Sequence, residues 1–255
     1  MNIALQLFTV RDAARLHLAN TLSRVRDAGF AYVQWSGMPE MPGDAIREAL
    51  DAAQLTAIAG HVDVAAFEAD YGAMVRHWRT IGVEHLAPGG MMPECRERYA
   101  DWLQGAARLD ALGARLAGDG ITWSYHNHDF ELSCFPNMWE TKLDVLYQYT
   151  SFLHVKAELD VAWLALGDVA PETYLRRYAG RCPIIHLKDA LLNDRGETGP
   201  VFTALGDGDL RWDAVMEAVN HAGVEWCVYE QDTARGDIWD DIRRSRAFLE
   251  QYAPG

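Results

Sequence analysis

Eight short apolar segments alternate with amphipathic helical stretches along this chain, and that alternation restricts its fold more than any other feature. The strand candidates are Ile3–Phe8, Tyr32–Trp35, Thr56–His61, His85–Pro88, Ile121–His126, Val155–Asp160, Ile184–Lys188 and Trp226–Glu230. Helical patterns fill the intervals at 14–28, 44–54, 66–81, 94–117, 139–149, 171–179, 212–222 and 237–251. Gly29, Gly82, Gly120 and Gly223 each precede a strand, where helix C-caps are expected. Such alternation argues for a parallel sheet with helical crossovers. Eight units in 255 residues favour a closed barrel over an open sheet. Strand 1 runs into Thr9-Val10-Arg11-Asp12, which is not a GxGxxG phosphate turn. No linker or low-complexity stretch interrupts the pattern. The expected architecture is α/β, a single (β/α)8 barrel spanning 1–255 as one domain, with catalytic groups at the C-terminal ends of its strands.

Charge and cysteine usage narrow the function classes. Lys and Arg number 23 against 37 Asp and Glu, a net charge of −14. That balance argues against gripping a nucleic-acid backbone, which calls for a basic stripe. A small phosphorylated ligand, needing only one local pocket, stays admissible. Cys95, Cys134, Cys182 and Cys227 show no CxxC pairing and read as reduced thiols of a cytoplasmic protein. The opening MNIALQLFTVRD has no basic n-region or long apolar h-region, and no apolar run approaches a membrane span. Neither secretion nor membrane insertion is expected.

Polar residues gather at the ends of four consecutive strands. Side chains alternate along a strand, so His126 and His128 point the same way after strand 5. Lys156, Glu158 and Asp160 share a face on strand 6, and His186 and Lys188 share one on strand 7. Val228, Glu230 and Asp232 share one on strand 8. Apolar packing does not select such residues. Charges this dense must be paired or metal-bound. Carboxylate and imidazole donors without thiolate suit Mn²⁺, Mg²⁺, Co²⁺ or Zn²⁺.

The chain resembles the xylose isomerase-like TIM barrels, the sugar phosphate isomerase/epimerase superfamily that also holds inosose dehydratases, ketose 3-epimerases and endonuclease IV. The carrying stretches are QLFTVRD at 6–12, SYHNHDFE at 124–131, ELDVAW at 158–163, IIHLKD at 184–189, GDGDLRW at 206–212 and VYEQD at 228–232. They span nearly the whole chain in order. The resemblance implies one divalent metal, Mn²⁺ first, bound through a strand-5 Glu, a strand-6 Asp, a strand-7 His and a strand-8 Glu. Asp160, His186 and Glu230 match the last three. At the strand-5 position this sequence has His126. Either His126 replaces the Glu, or Glu131 supplies the carboxylate, or three protein ligands and water suffice. Ketose epimerases move the proton between the strand-5 and strand-8 carboxylates. With the former missing, His128, Glu131 or Glu158 must share the work with Glu230, and Lys188 either contacts a substrate oxygen or pairs with Glu158.

Blander readings stand beside these. Lys156 with Glu158 is expected as a buried pair, Asp189 as a supporting or loop-capping residue, and GDGD as a turn with Asp209 capping the helix near Trp212. Gln6, Gln34 and His61 are candidates to reach the pocket, whereas His17, His77, His85, His154 and His221 fall away from strand ends. Trp35, Trp123 and Trp163 lie beside strand ends as core or as sugar-stacking walls.

The resemblance thus implies an isomerase or epimerase of a sugar or keto-sugar, acting through an enediolate. An inosose dehydratase-like lyase on the same site is the alternative, and a non-catalytic sugar-binding barrel is the alternative from another class. A nuclease is disfavoured by the charge. Similar barrels are typically dimers or tetramers, which implies a homo-oligomer.

Overall fold

The computed structural model describes residues 2–194, 196, 197 and 199–252. Among them, eight parallel strands close into a barrel in the order β1-β10-β7-β6-β5-β4-β3-β2. They are β1 Asn2–Gln6, β2 Tyr32–Trp35, β3 Thr56–Val62, β4 His85–Pro88, β5 Thr122–His126, β6 Lys156–Asp160, β7 Ile184–Leu187 and β10 Trp226–Tyr229. Between β7 and β10, β8 Asp189–Leu191 and β9 Val201–Thr203 form a separate antiparallel pair. The helices are α1 Arg11–Asp27, α2 Gly43–Ala52, α3 Val64–Ala69, α4 Tyr71–Ile81, α5 Tyr99–Gly118, α6 Lys142–Gln148, α7 Val161–Leu166, α8 Pro171–Arg177, α9 Trp212–Ala222 and α10 Ile238–Glu250.

The two faces of each strand go to different cores. Leu5, Val33, Leu159, Ile185 and Leu187 join helix residues such as Leu22, Ile46, Leu109 and Ile242 in the large outer core. Ala4, Ile58, Ala59, Ile184 and Val228 form a small second cluster. Two residues further along the same faces stand Gln6, His186 and Glu230, all buried. On β1, β7 and β10 the period of two therefore carries the inward face from an apolar floor to a polar mouth.

Departures from the expected elements have local causes. β1 stops at Gln6 because Leu7–Val10 winds into a 3-10 turn, and the Gln6 side chain accepts the Phe8 N–H. The helix expected over 66–81 divides at Asp70, whose carboxylate caps α4 through the Ala73 N–H. α4 and α9 end on Gly82 and Gly223 in the left-handed region, as their positions before strands suggest. Helix α7 and the β8–β9 pair were not expected. Cys95, Cys134, Cys182 and Cys227 are all unpaired. No helix among the described residues is long and apolar enough to cross a membrane.

Candidate active site

The mouth is built by short-range devices at the strand ends. Asn127, just beyond β5, accepts the Asp160 N–H at 3.0 Å and ties β5 to β6. Asp160 Oδ1 accepts the Ala162 and Trp163 N–H groups, each at 3.0 Å, and so starts α7. Its Oδ2 faces the barrel axis, 3.0 Å from Lys188 Nζ though without hydrogen-bond alignment. Lys188 Nζ also lies 3.0 Å from Glu230 Oε2 and 3.0 Å from Asp232 Oδ2.

His186 stands at the centre. Its Nδ1 is 2.7 Å from Glu230 Oε2, and its Nε2 is 2.9 Å from Glu158 Oε1 and 2.8 Å from Gln34 Oε1. Glu158 Oε1 lies 2.7 Å from His61 Nε2 and accepts the Gln34 amide at 2.8 Å. A cavity of about 210 Å³ opens above this network, with His61, His126, His128, Lys188, Glu230 and Asp232 on its wall.

Burial and neighbouring charges together set the protonation of each group. Burial alone would drive His186 towards neutrality, but hydrogen bonds to Glu158 and Glu230 reverse this and lift its pKa to about 10. Lys188 is likewise buried, yet Asp160, Asp232 and Glu230 hold it charged, well above the usual lysine range. Burial opposes ionisation of Glu230 as well, but Lys188 and His186 keep it below the usual carboxylate range. Burial raises Asp232 to about 6 against the pull of Lys188. His126 is pushed well down by burial and by its histidine neighbours. His128 falls to about 4 through burial and the nearby Lys188.

The donors fit a metal ion. One ligand atom each from His126, Asp160, His186 and Glu230 lies within 4.8 Å of all the others, and all four residues are buried. His126 Nδ1 is buried with no hydrogen-bond partner, the state expected of an imidazole whose lone pair awaits a cation. Two imidazoles and two carboxylates from four strands form the mixed set that Mn²⁺, Co²⁺ or Zn²⁺ accepts.

The remaining sequence candidates are placed as follows. Glu131 is buried and gives both oxygens away, one to the Tyr125 hydroxyl at 2.6 Å and one to the His128 N–H at 2.9 Å. Burial raises it to about 7. Glu158 sits behind His61, not on the cavity wall. Lys156 does not pair with Glu158, because its ammonium stacks on Phe152 at 3.9 Å. Nor does Lys188 pair with Glu158; the three carboxylates on its other side take it. Asp209 does not cap α9 but accepts the Leu192 N–H.

Asp189 gathers the N–H groups of Ala190, Gly206, Gly208 and Leu210 and the Trp212 indole, which fixes the GDGD turn. A Cβ on Gly208 would lie 2.2 Å from Asp189 Oδ1, so the turn needs glycine there. Trp163 packs 5.3 Å from the His128 ring, while Trp35 and Trp123 belong to the outer core. Asp232 joins the site though it is not among the candidates the sequence motifs mark; its place two residues after Glu230, on the same face, is the signal that points to it.

No protein-family model matches the chain, and no curated protein matches it in sequence. Solved structures match it closely in fold. A sugar phosphate isomerase/epimerase from Parabacteroides distasonis aligns with TM-score 0.83 at 19% identity, covering 99% of this chain and 94% of that one. An L-ribulose 3-epimerase aligns with TM-score 0.73 at 16% identity, covering 99% and 94%. A probable 3-DHS dehydratase of petrobactin synthesis from Bacillus anthracis aligns with TM-score 0.72 at 10% identity, covering 98% and 99%. The chain therefore has the fold of the xylose isomerase-like TIM barrels that its motifs resemble.

Proposed function

We propose that this chain is a divalent-metal-dependent isomerase or epimerase of a sugar or keto-sugar. The observation that carries this reading is the convergence of His126, Asp160, His186 and Glu230 within 4.8 Å beneath a small polar cavity. On this reading those four residues hold the ion, Mn²⁺ first, with Mg²⁺, Co²⁺ or Zn²⁺ as alternatives. When bound, it supplies a Lewis acid that draws charge from a substrate carbonyl and eases loss of the proton beside it.

The chain's own groups do the rest. His128 and Glu230 face the cavity and move the proton. Lys188, fixed by three carboxylates, contributes a positive charge that stabilises a developing oxyanion. Glu131 positions His128 through its backbone N–H, and Glu158 orients His61 and His186. Trp163 beside His128 offers an apolar wall to the C–H face of a sugar ring. The proposal includes one domain over 1–255 acting in the cytoplasm as a homo-oligomer, without nucleic-acid or membrane partners.

A lyase is the second reading. It uses the same proton loss followed by departure of a β-hydroxyl, and the fold shared with a protein named as a probable dehydratase favours keeping it. The test is incubation of the Mn²⁺-loaded protein with a panel of keto-sugars in deuterium oxide. Exchange of the proton next to the carbonyl, with an epimer or isomer formed, is expected. Exchange with loss of water selects the lyase. Sugar binding without exchange overturns both and leaves a sugar-binding barrel.

A further inference from the structure

Behind the four outer donors a second group converges. One ligand atom each from His61, His126, Glu158 and His186 also lies within 4.8 Å of the others. They come from β3, β5, β6 and β7. Glu158 Oε1 is the hub, 2.7 Å from His61 Nε2, 2.9 Å from His186 Nε2 and 4.0 Å from His126 Nδ1. Two atoms of this group are buried and unpartnered, His126 Nδ1 and Glu158 Oε2. Leaving such atoms bare is costly, so the arrangement asks for an occupant.

Two further features fit a cation here. The ring nitrogens turned away from Glu158 have their own acceptors. His186 Nδ1 meets Glu230 Oε2 at 2.7 Å, and His61 Nδ1 lies 3.4 Å from Ser36 Oγ. Metal-bound histidines are held in this way, with the second nitrogen donating to a carboxylate or other oxygen. The positive charges are also unevenly shared. Lys188 occupies the triangle of Asp160, Glu230 and Asp232. Among the described residues, the ion pairs of Glu158 are with imidazoles alone.

We propose that His61, His126, Glu158 and His186 form a second, inner site for a divalent ion, whose carboxylate stands two residues before Asp160 on β6. Three imidazoles and one carboxylate favour Zn²⁺ or Co²⁺ over Mg²⁺. Gln34 Oε1, 2.8 Å from His186 Nε2, stands ready as an additional oxygen donor. The inner and outer sites share His126 and His186, and one ring-nitrogen lone pair serves one ion, so the two sites compete for the ion.

The experiment is Zn²⁺ binding to the full chain by equilibrium dialysis with metal analysis, and Co²⁺ binding by visible absorption. It uses wild type, Asp160→Asn, and Asp160→Asn combined with either His61→Asn or Glu158→Gln. Asp160→Asn keeps an oxygen for the α7 cap but weakens the outer site. The expected result is one Zn²⁺ per chain retained in Asp160→Asn and no measurable Zn²⁺ once His61 or Glu158 is also changed, a larger fall than the roughly ten- to hundredfold expected if they only orient His186. Glu158→Gln is isosteric and stands in should His61→Asn fail to fold. Loss of all Zn²⁺ in Asp160→Asn, with wild type binding one, overturns the inner site and leaves the proposed function standing. Retention that is indifferent to both His61 and Glu158 also overturns it. No Zn²⁺ in wild type overturns the inner site and the metal reading together.

Discussion

The ends of β5 and β7 carry the same kind of residue at the same spacing, yet they behave as opposites. Each presents two groups able to bear a positive charge, two residues apart: His126 and His128 on one side, His186 and Lys188 on the other. Without a metal ion the β7 pair is held charged and the β5 pair neutral; an ion bound at His186 would displace that residue's proton. The difference is the number of carboxylates within reach. His186 touches two and Lys188 three, all at 3.0 Å or less. The nearest carboxylate oxygen paired with His126 is 4.0 Å away, and that carboxylate is already engaged by His61 and His186. Protonation here is written by the carboxylates on the neighbouring strands β6 and β10, not by residue type alone. One side supplies positive charge and the other supplies lone pairs.

The largest test of this contrast removes the charged side. Lys188→Met leaves three carboxylates facing one another in a buried mouth, and the metal-free protein is expected to lose about 3–5 kcal/mol of stability. Urea denaturation with and without Mn²⁺ measures it, and recovery on adding the ion marks the loss as electrostatic. His128→Asn acts on the neutral side. It should leave metal content unchanged and slow deuterium exchange into a keto-sugar by roughly 10²–10⁴-fold. An equal fall in metal content would make His128 a ligand instead.

A pH experiment sharpens the comparison on the β5 side. Glu131 is protonated up to about pH 7 in the folded protein, against a usual value of 4.5. Between those values the unfolded chain has released a proton that the folded chain keeps, so stability falls as pH rises. At 1.36 kcal/mol per unit the loss is about 3 kcal/mol by pH 8. Glu131→Gln should flatten that part of the stability-versus-pH curve, and an unchanged slope refutes the assignment. The smallest effect is the control at the surface. Arg15 pairs with Asp12 in full view of solvent, and Arg15→Ala should shift stability by less than about 0.5 kcal/mol.

The barrel itself was legible because strand and helix periods are local. Tyr32–Trp35, His85–Pro88 and the helix at 212–222 have the predicted bounds. Elements set by tertiary devices were not legible. Helix α7 starts on the Asp160 carboxylate, a residue that reads equally well as a ligand. The β8–β9 pair is separated by a long polar interval and braced by Asp189, whose five donors lie up to 23 residues away. In the site, the alternation of side chains brought the right residues to one end, but the partnerships followed register. Glu158 lies opposite Ile184, and Asp160 opposite His186. That offset sends Lys188 to Asp160, Glu230 and Asp232, and leaves Glu158 to the imidazoles. A list of strand ends contains no register, so the expected Lys156–Glu158 pair does not form, and of the two readings of Lys188 the pairing with Glu158 falls away.

Asp160 joins two things that are usually separate. One oxygen fixes the first turn of α7, and the other faces the charges of the mouth. That first turn carries Trp163, whose ring lies near His128, Phe202 and the Lys188 ammonium, the last at 5.3 Å. Any cation that draws on the carboxylate therefore pulls on the anchor of an indole and changes the field that the indole feels. The emission of Trp163, one of nine tryptophans, is therefore expected to follow the electrical state of the barrel's mouth.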